Sequence, residues 1–141
     1  MVFETSSEEE TIDAGERLAH LLPPRSVVLL IGNLGAGKTT LAKGIARGLG
    51  AADPAEVSSP TFTLIHEYGN PPRVYHIDLY RLDAPDQVAT LGLDELFERN
   101  AIILVEWGEK FLTLMPADRV EVQLNITGAE SRQLVVSGLR P

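Results

Sequence analysis

A glycine-rich loop at residues 32–39 reads GNLGAGKT and matches the pattern G-x-x-x-x-G-K-[ST]. An apolar, β-branched run at residues 26–31 precedes the loop, and a helical pattern at residues 38–49 follows it. Glycines let successive backbone amides turn toward one bound anion, and the start of a helix adds the positive end of its dipole. The sequence therefore predicts a strand–loop–helix unit that binds the phosphates of a nucleotide.

Two side chains of this loop have predicted roles of their own. Lys38 is placed to reach the β- and γ-phosphates, and the hydroxyl of Thr39 is placed to bind Mg²⁺. GTPases with such a loop usually carry a guanine-reading N-K-x-D sequence, but none of the three lysines here follows an asparagine. The absence of that signature argues against a translation-type GTPase and favours ATP.

The remaining patterns predict an α/β fold with a mixed parallel/antiparallel sheet flanked by helices, in one domain over residues 1–141. A second fully apolar run at residues 101–106 predicts another buried strand. Alternating segments at 119–126 and 132–138 predict an antiparallel pair, and a G-N-P-P turn joins strands predicted at 61–68 and 73–80. Further helices are predicted at residues 7–22, 85–91 and 93–99, with a helical turn at 108–114.

Charge and composition exclude several classes of protein. The chain has 20 acidic and 12 basic side chains, for a net charge of −8, which argues against broad, independent binding to nucleic acid. It has no cysteine, so disulfides, thiolate metal sites and cysteine nucleophiles are excluded, and this is consistent with a cytoplasmic protein. No apolar run is long enough to span a bilayer, so no membrane association is expected.

Two carboxylates that end predicted strands are candidates for catalysis. Glu106 ends the more apolar strand and is assigned to the Mg²⁺ shell, directly or through water. Asp78 ends the weaker strand and is a candidate for orienting the attacking water, although an ion pair with Arg81 is an alternative reading. His76 lies on the same strand face as Asp78 and could orient it, or could be a core histidine.

The segment S-S-P-T-F at residues 58–62 occupies the place where many phosphate-loop proteins have a switch that senses the γ-phosphate. Thr61 would then supply the sensing hydroxyl. Serine and proline are also common turn residues, so a plain turn into a strand is the alternative.

Taken together, these segments resemble the TsaE family, formerly YjeE. The resemblance lies in GNLGAGKTT at residues 32–40, SPTF at 59–62, HIDLYR at 76–81 and LVEW at 104–107, and it extends from about Thr5 to Arg132. It implies a P-loop α/β fold and a slow Mg-ATP-dependent ATPase that works with two proteins, TsaB and TsaD. In that family the complex modifies adenosine 37 of tRNA with a threonylcarbamoyl group, and ATP hydrolysis resets the complex between turnovers. Contact with tRNA would be indirect, through the complex.

The resemblance also implies site residues. It places Mg²⁺ on Thr39 and Glu106, and it makes Asp78 and Thr61 catalytic candidates beside Glu106. It places Trp107 near the site. The residues that the resemblance places on the nucleotide are Thr11, Asn33, Gly35, Ala36, Gly37, Lys38, Thr39, Thr40 and Arg132.

Two other functions compete with this interpretation. A small-molecule kinase needs a lid with an arginine that closes over the phosphates, but the charged side chains of residues 82–99 are all acidic except for one arginine at the far end of the segment. A binding module that uses ATP only as a conformational ligand would bind the nucleotide without turnover.

Overall fold

The structure, a computed structural model, describes residues 1–139, and a seven-stranded mixed sheet forms its centre with the strand order β1-β7-β6-β2-β5-β4-β3. The strands are β1 (Val2–Thr5), β2 (Ser26–Ile31), β3 (Ile65–Tyr68), β4 (Val74–Asp78), β5 (Ile102–Glu106), β6 (Val120–Ile126) and β7 (Arg132–Ser137). The helices are α1 (Glu8–Ala19), α2 (Lys38–Gly48), α3 (Pro85–Ala89) and α4 (Leu93–Phe97), with 3₁₀ segments at Pro54–Glu56 and Gly108–Leu114. The predicted mixed α/β sheet is confirmed.

The four central strands are parallel, and antiparallel pairs complete both edges. Strand β2 pairs in parallel with β5 and β6, and β5 pairs in parallel with β4. The hairpins β6–β7 and β3–β4 are antiparallel, as is the pair of β1 with β7. The carboxyl ends of β2, β4 and β5 therefore meet at one edge of the sheet, which is where ligands bind in open α/β folds.

Two apolar clusters cover the two faces of the sheet because strands β2 and β5 are buried on both sides. On one face, Val28 and Leu104 pack with α1 and α2, and on the other face Leu29 and Val105 pack with α3 and α4. The two helices of the first cluster approach closely where Gly15 of α1 faces Gly44 of α2. This packing fixes α2, and so the loop before it, against the sheet.

The ends of α1 follow from its sequence. The hydroxyl of Ser7 accepts a hydrogen bond from the amide of Glu10, and the Glu10 carboxylate accepts one from the amide of Ser6. The first bond satisfies an amide that the first turn of a helix leaves unpaired, and the second fixes the residue just before the cap. The helix ends at Ala19, three residues earlier than predicted, and Pro23-Pro24 prevents any continuation.

Two differences from the sequence prediction concern strands. The pattern at residues 61–68 predicts one strand, but only Ile65–Tyr68 pairs, because residues 61–63 form a turn and Leu64 has a φ of +70°. Strand β1 was not predicted. Its residues alternate between exposed and buried, and within residues 1–139 its only strand partner is β7, about 130 residues later.

Candidate functional site

The glycine-rich loop connects the buried strand β2 to α2, and two glycines give the loop its shape. Gly35 has a φ of +79° and Gly37 a φ of +101°, both in the left-handed region that other residues rarely adopt. Gly37 is also the N-cap of α2, and no side chain caps the first amides of that helix. The loop and the helix start together form a positive concave surface that is suited to phosphate.

Lys38 is buried at the floor of this loop, with only 5% of its surface exposed. Its Nζ donates a 2.8 Å hydrogen bond to the carbonyl of Gly32 and lies 3.6 Å from the ring centroid of Trp107. Burial lowers the pKa of Lys38, while the nearby carboxylates of Glu106, Glu109 and Asp78 act in the opposite direction. None of these three carboxylates forms a direct ion pair with Lys38, so its charge remains available to an anionic ligand.

The two candidate carboxylates lie side by side because β4 and β5 are parallel and Asp78 is in register with Glu106. Both are almost fully buried, with 2% and 4% of their surfaces exposed. Glu106 Oε2 accepts a 2.5 Å hydrogen bond from His76 Nε2 and lies 3.4 Å from Thr39 Oγ1. Buried carboxylates are costly unless they are hydrogen-bonded or bind a cation, and both side chains accept hydrogen bonds here. An adjacent pair of buried carboxylates in a cleft is a candidate functional site.

Asp78 binds the segment that the sequence predicts as a switch. Its Oδ2 accepts hydrogen bonds from Thr61 Oγ1 at 2.9 Å and from Ser59 Oγ at 3.3 Å, and its Oδ1 accepts one from the Tyr80 amide at 2.8 Å. The alternative ion pair with Arg81 does not form within the described chain, where the Arg81 guanidinium instead lies 5.1 Å from the Phe62 ring centroid. Asp78 therefore connects the hydroxyl groups of Ser59 and Thr61 to the sheet.

These groups surround one open cleft of about 290 Å³. The cleft is lined by Leu34, Gly35, Gly37, Lys38, Thr39, Thr40, Ser59, Thr61, Asp78, Tyr80, Glu106 and Trp107. The structure thus brings together all three predicted catalytic residues and most of the predicted phosphate-binding residues. Trp107, which follows Glu106 and has a φ of +65°, also packs against Tyr80 with 5.1 Å between the ring centroids.

Thr11 and Arg132 lie together in an adjoining cleft of about 270 Å³ that shares Gly35, Gly37 and Thr40 with the first. The Thr11 hydroxyl is buried and bonds to the Thr5 hydroxyl at 2.8 Å. The Arg132 guanidinium donates to the carbonyl groups of the loop, from Nε to Ala36 at 3.0 Å and from a terminal nitrogen to Gly35 at 3.1 Å. The structure therefore places both side chains beside the loop, and Arg132 braces the loop itself.

Asn33 and Ala36 are placed differently from the other residues of the loop. Asn33 lines a separate polar cleft of about 360 Å³ on the other side of Trp107, together with Glu109, Gln123 and Asn125. The side chain of Ala36 is buried in the core under the loop. Any contact of Ala36 with a nucleotide would therefore be through its backbone.

The oxygen atoms at the carboxyl ends of β4 and β5 fit a magnesium ion that arrives with phosphates. Mg²⁺ prefers oxygen ligands and is usually bound by one or two carboxylates together with substrate phosphates and water. Thr39 and Glu106 offer a hydroxyl and a carboxylate less than 4 Å apart. Over residues 1–139 no group of three or more His, Cys, Asp or Glu side chains could hold a metal ion alone.

Sequence reasoning missed several residues of the site. Of its two interpretations of His76, the buried core histidine is confirmed, since 0% of the residue is exposed, but the ring bonds to Glu106 on the neighbouring strand and not to Asp78. It also assigned no site role to Ser59 or Tyr80, although both belong to the short motifs around Thr61 and Asp78. Glu109 was also missed. Its position three residues after Glu106 could have indicated it, since the carboxylates of both residues attract Lys38.

No helix within the described 139 residues has the length and apolarity to cross a membrane.

Comparisons with known proteins agree with this geometry. The family described as "Threonylcarbamoyl adenosine biosynthesis protein TsaE" matches residues 5–134. The chain is 37% identical over 138 residues to the tRNA threonylcarbamoyladenosine biosynthesis protein TsaE of Bacillus subtilis, covering 97% of this chain and 85% of that protein. It is 35% identical over 131 residues to the Treponema pallidum protein of the same name, covering 93% and 96%.

A solved structure shows the same fold. The crystal structure of Bacillus subtilis YdiB superposes with a TM-score of 0.78 and 32% sequence identity, covering 99% of this chain and 86% of that one. A matched family spanning nearly the whole chain, relatives above 30% identity and a shared fold all lead to one assignment: this chain belongs to the TsaE family, which is named for threonylcarbamoyladenosine biosynthesis.

Proposed function

We propose that this chain is a Mg-ATP-binding ATPase that supports a TsaB–TsaD complex in the threonylcarbamoylation of adenosine 37 in tRNA, in the cytoplasm. The observation that carries the proposal is the convergence of a phosphate loop, a buried lysine and two buried carboxylates on one cleft. In this proposal ATP hydrolysis resets the complex between turnovers, and the chain meets tRNA only through its partners.

Phosphate binding is the first part of the proposal. The loop amides and the start of α2 would bind the phosphate oxygens, and Lys38 would supply the point charge on the β- and γ-phosphates. Arg132 would support phosphate binding indirectly. Its hydrogen bonds to the carbonyls of Gly35 and Ala36 fix the direction of those carbonyls, and so of the adjoining loop amides. A loop already held in shape loses less entropy on binding.

Chemistry at the γ-phosphate is the second part. Thr39 and Glu106 would hold Mg²⁺, which supplies charge neutralisation for the phosphoryl group as it is transferred. Asp78 would orient the attacking water, since it is ionisable, almost fully buried and adjacent to Glu106. Its bonds to Thr61 and Ser59 support a coupling between the carboxylate and the switch-like loop.

The partner role rests on the family and on charge. The family is named for threonylcarbamoyladenosine biosynthesis, and relatives of 35 to 40% identity carry that name. A chain with a net charge of −8 is poorly suited to holding tRNA itself, which favours action on protein partners.

The test is phosphate release from Mg-ATP, measured with and without purified TsaB and TsaD. We expect slow release by the chain alone and a clear increase with both partners present. A rate of phosphate release that does not change when the partners are added would contradict the partner role. The next step would then be to test small molecules as phosphate acceptors. Binding of ATP without any turnover, even with both partners, would instead favour a nucleotide-gated binding module.

One variant tests the metal assignment within that assay. Glu106→Ala should still bind nucleotide in EDTA but should lose Mg²⁺-dependent turnover by on the order of 100-fold, because the carboxylate no longer holds the ion. Full turnover by this variant would move the metal role to Asp78.

A further inference from the structure

His76 is a wholly buried histidine in the middle of β4, and 0% of its surface is exposed. Its neighbours Tyr75 and Ile77 point to the face covered by α3 and α4, whereas His76 points to the α2 face along with Val74 and Asp78. In the parallel pair with β5, His76 is in register with Leu104, two residues before Glu106. The ring therefore lies beneath the carboxylate, on the side away from the open cleft.

The described residues give the ring one hydrogen bond, which joins His76 to Glu106. Nε2 lies 2.5 Å from Glu106 Oε2, and a carboxylate oxygen can only accept, so Nε2 carries the proton. The other ring nitrogen, Nδ1, is buried and has no hydrogen-bond partner among residues 1–139. The bond from Nε2 to Glu106 is therefore the one hydrogen bond of the ring within those residues.

The two oxygens of Glu106 are treated unequally. Oε2 faces both His76 Nε2 and the Thr39 hydroxyl, whereas over the described residues no donor of the chain bonds to Oε1. Glu106 is also one of the residues that line the cleft. One oxygen is thus fixed by the protein, and the other remains for a ligand.

We propose that His76 is a positioning residue that fixes the Glu106 carboxylate through Oε2, so that Oε1 is directed to Mg²⁺ or to a water on it. The proposal rests on the metal role given to Glu106 under the proposed function. A histidine behind a ligating carboxylate restricts its rotation, and loss of such a supporting hydrogen bond typically weakens metal affinity or activity by about 10- to 100-fold.

Two amide substitutions separate positioning from packing. In His76→Gln the amide nitrogen can occupy the place of Nε2, whereas in His76→Asn the shorter side chain places it near Nδ1. Both variants bury one amide in the same apolar layer, so they share the cost of a buried polar group. The readouts are the affinity for ADP in EDTA and the Mg²⁺ concentration at which ADP binding tightens, both by calorimetry.

We expect all three proteins to bind ADP equally in EDTA. The Mg²⁺ requirement should rise by about 10- to 100-fold in His76→Asn and should stay near the wild-type value in His76→Gln. Equal Mg²⁺ requirements in both variants and wild type would overturn the positioning role. An equal loss of ADP affinity in EDTA in both variants would also overturn it, because the histidine would then serve packing alone.

If the affinity of the wild-type protein for ADP does not change with Mg²⁺, the proposed function itself would be overturned. Failure of the proposed function and failure of the positioning role of His76 therefore give different results.

Nitrogen-15 spectra of the histidine rings in the wild-type protein need no variant, so they apply even if a substitution prevents folding. We expect the His76 ring to carry a hydrogen on Nε2, because Nε2 donates to Glu106. A His76 ring without a hydrogen on Nε2 would contradict that hydrogen bond, and the proposal with it.

Discussion

Lys38 shows how one buried charge can be kept available for a ligand. Its ammonium group has a carbonyl, an aromatic face and three carboxylates around it, but none of those carboxylates forms a direct ion pair with it. Burial without a close counter-ion lowers its pKa, and a phosphate would supply the missing negative charge.

We therefore expect Lys38→Ala to weaken ATP binding by about 10- to 100-fold, the value of one charge-assisted hydrogen bond. Lys43→Ala, on the same helix but outside the clefts around the loop, is the matched control and should bind like the wild type. Calorimetry with ATP measures both. Unchanged binding by Lys38→Ala would contradict the assignment of the whole site.

Glu109 gives a prediction on pH. Burial raises the pKa of its carboxyl above the ordinary value of 4.5, with a smaller contribution from the charge of Glu106, and one of its oxygens is buried without a hydrogen-bond partner among residues 1–139. A raised pKa means that the folded state keeps a proton that the unfolded state has already released. The free energy of unfolding therefore falls as the pH rises from 4.5 through the raised pKa.

Glu109→Gln removes this titration. Its free energy of unfolding should exceed that of the wild type near pH 7, and the difference should disappear toward about pH 4, where the carboxyl is protonated in both states. Urea denaturation at several pH values measures it. A difference that stays constant over the range would show that the titration of Glu109 does not contribute.

At the scale of elements, the close packing of α1 against α2 depends on two glycines, Gly15 and Gly44, which have no side chain. A Cβ built on Gly44 would lie 2.0 Å from the carbonyl oxygen of Ile12, and one built on Gly15 would lie 2.6 Å from that of Leu41. Both obstacles are backbone atoms, so the helices themselves would have to separate. Because α2 begins at the phosphate loop, any such shift would reach the site.

Gly44→Ala should lower the free energy of unfolding by about 1–3 kcal/mol or more, as overpacking of a close interface does. Gly128→Ala is the control, since a Cβ there would meet only the Ser131 side chain, at 3.4 Å. Guanidinium denaturation of both variants measures the effect. An equal stability of the two would contradict the close packing of the helices.

The sequence predicted the elements whose signals are local. Strands β2 and β5 are continuous apolar runs, and the loop between β2 and α2 has a fixed motif, so their bounds agree closely with the structure. Strand β1 and the turn before β3 were missed because both depend on distant partners. Strand β1 pairs with β7, and the carbonyl of Leu64 accepts a hydrogen bond from the amide of Asp78. Such pairings leave no local periodicity to detect.

The site residues with local signals were also predictable from the sequence, whereas contacts between strands were not. Strand-end positions indicated Asp78 and Glu106, and the register Asp78↔Glu106 confirms that they are neighbours. The partner of His76 was not predictable, since a same-strand argument favours Asp78 and only the register between β4 and β5 brings the ring under Glu106. Which strands are adjacent is the information that one sequence lacks.

The molecule as a whole repels polyanions more than it attracts them. With 20 acidic and 12 basic side chains, its long-range field opposes a tRNA backbone even where single arginines are exposed. The glycine-rich loop offers positive groups only at short range, through its amides and the buried Lys38. Under the proposed function, this contrast between local and overall charge predicts that the chain contacts tRNA only through its partners.

The chain alone should therefore not shift the migration of tRNA in a gel-shift assay at physiological salt. A shift should require TsaB and TsaD. Lowering the salt is the control, because an independent electrostatic contact would strengthen steeply as salt falls. Tight binding of tRNA by the isolated chain would contradict the indirect role.

The strand order has a consequence for how the protein is made. Strand β2 is synthesised about 70 to 100 residues before its two sheet neighbours β5 and β6, and β1 can pair with β7 only after β7 exists. A nascent chain on the ribosome would therefore carry the apolar strand β2 and the glycine-rich loop without their neighbours while those residues are made. We expect the cleft at the strand ends to form only after β5 and β6 have emerged, because non-local strand pairs cannot form before both strands are present.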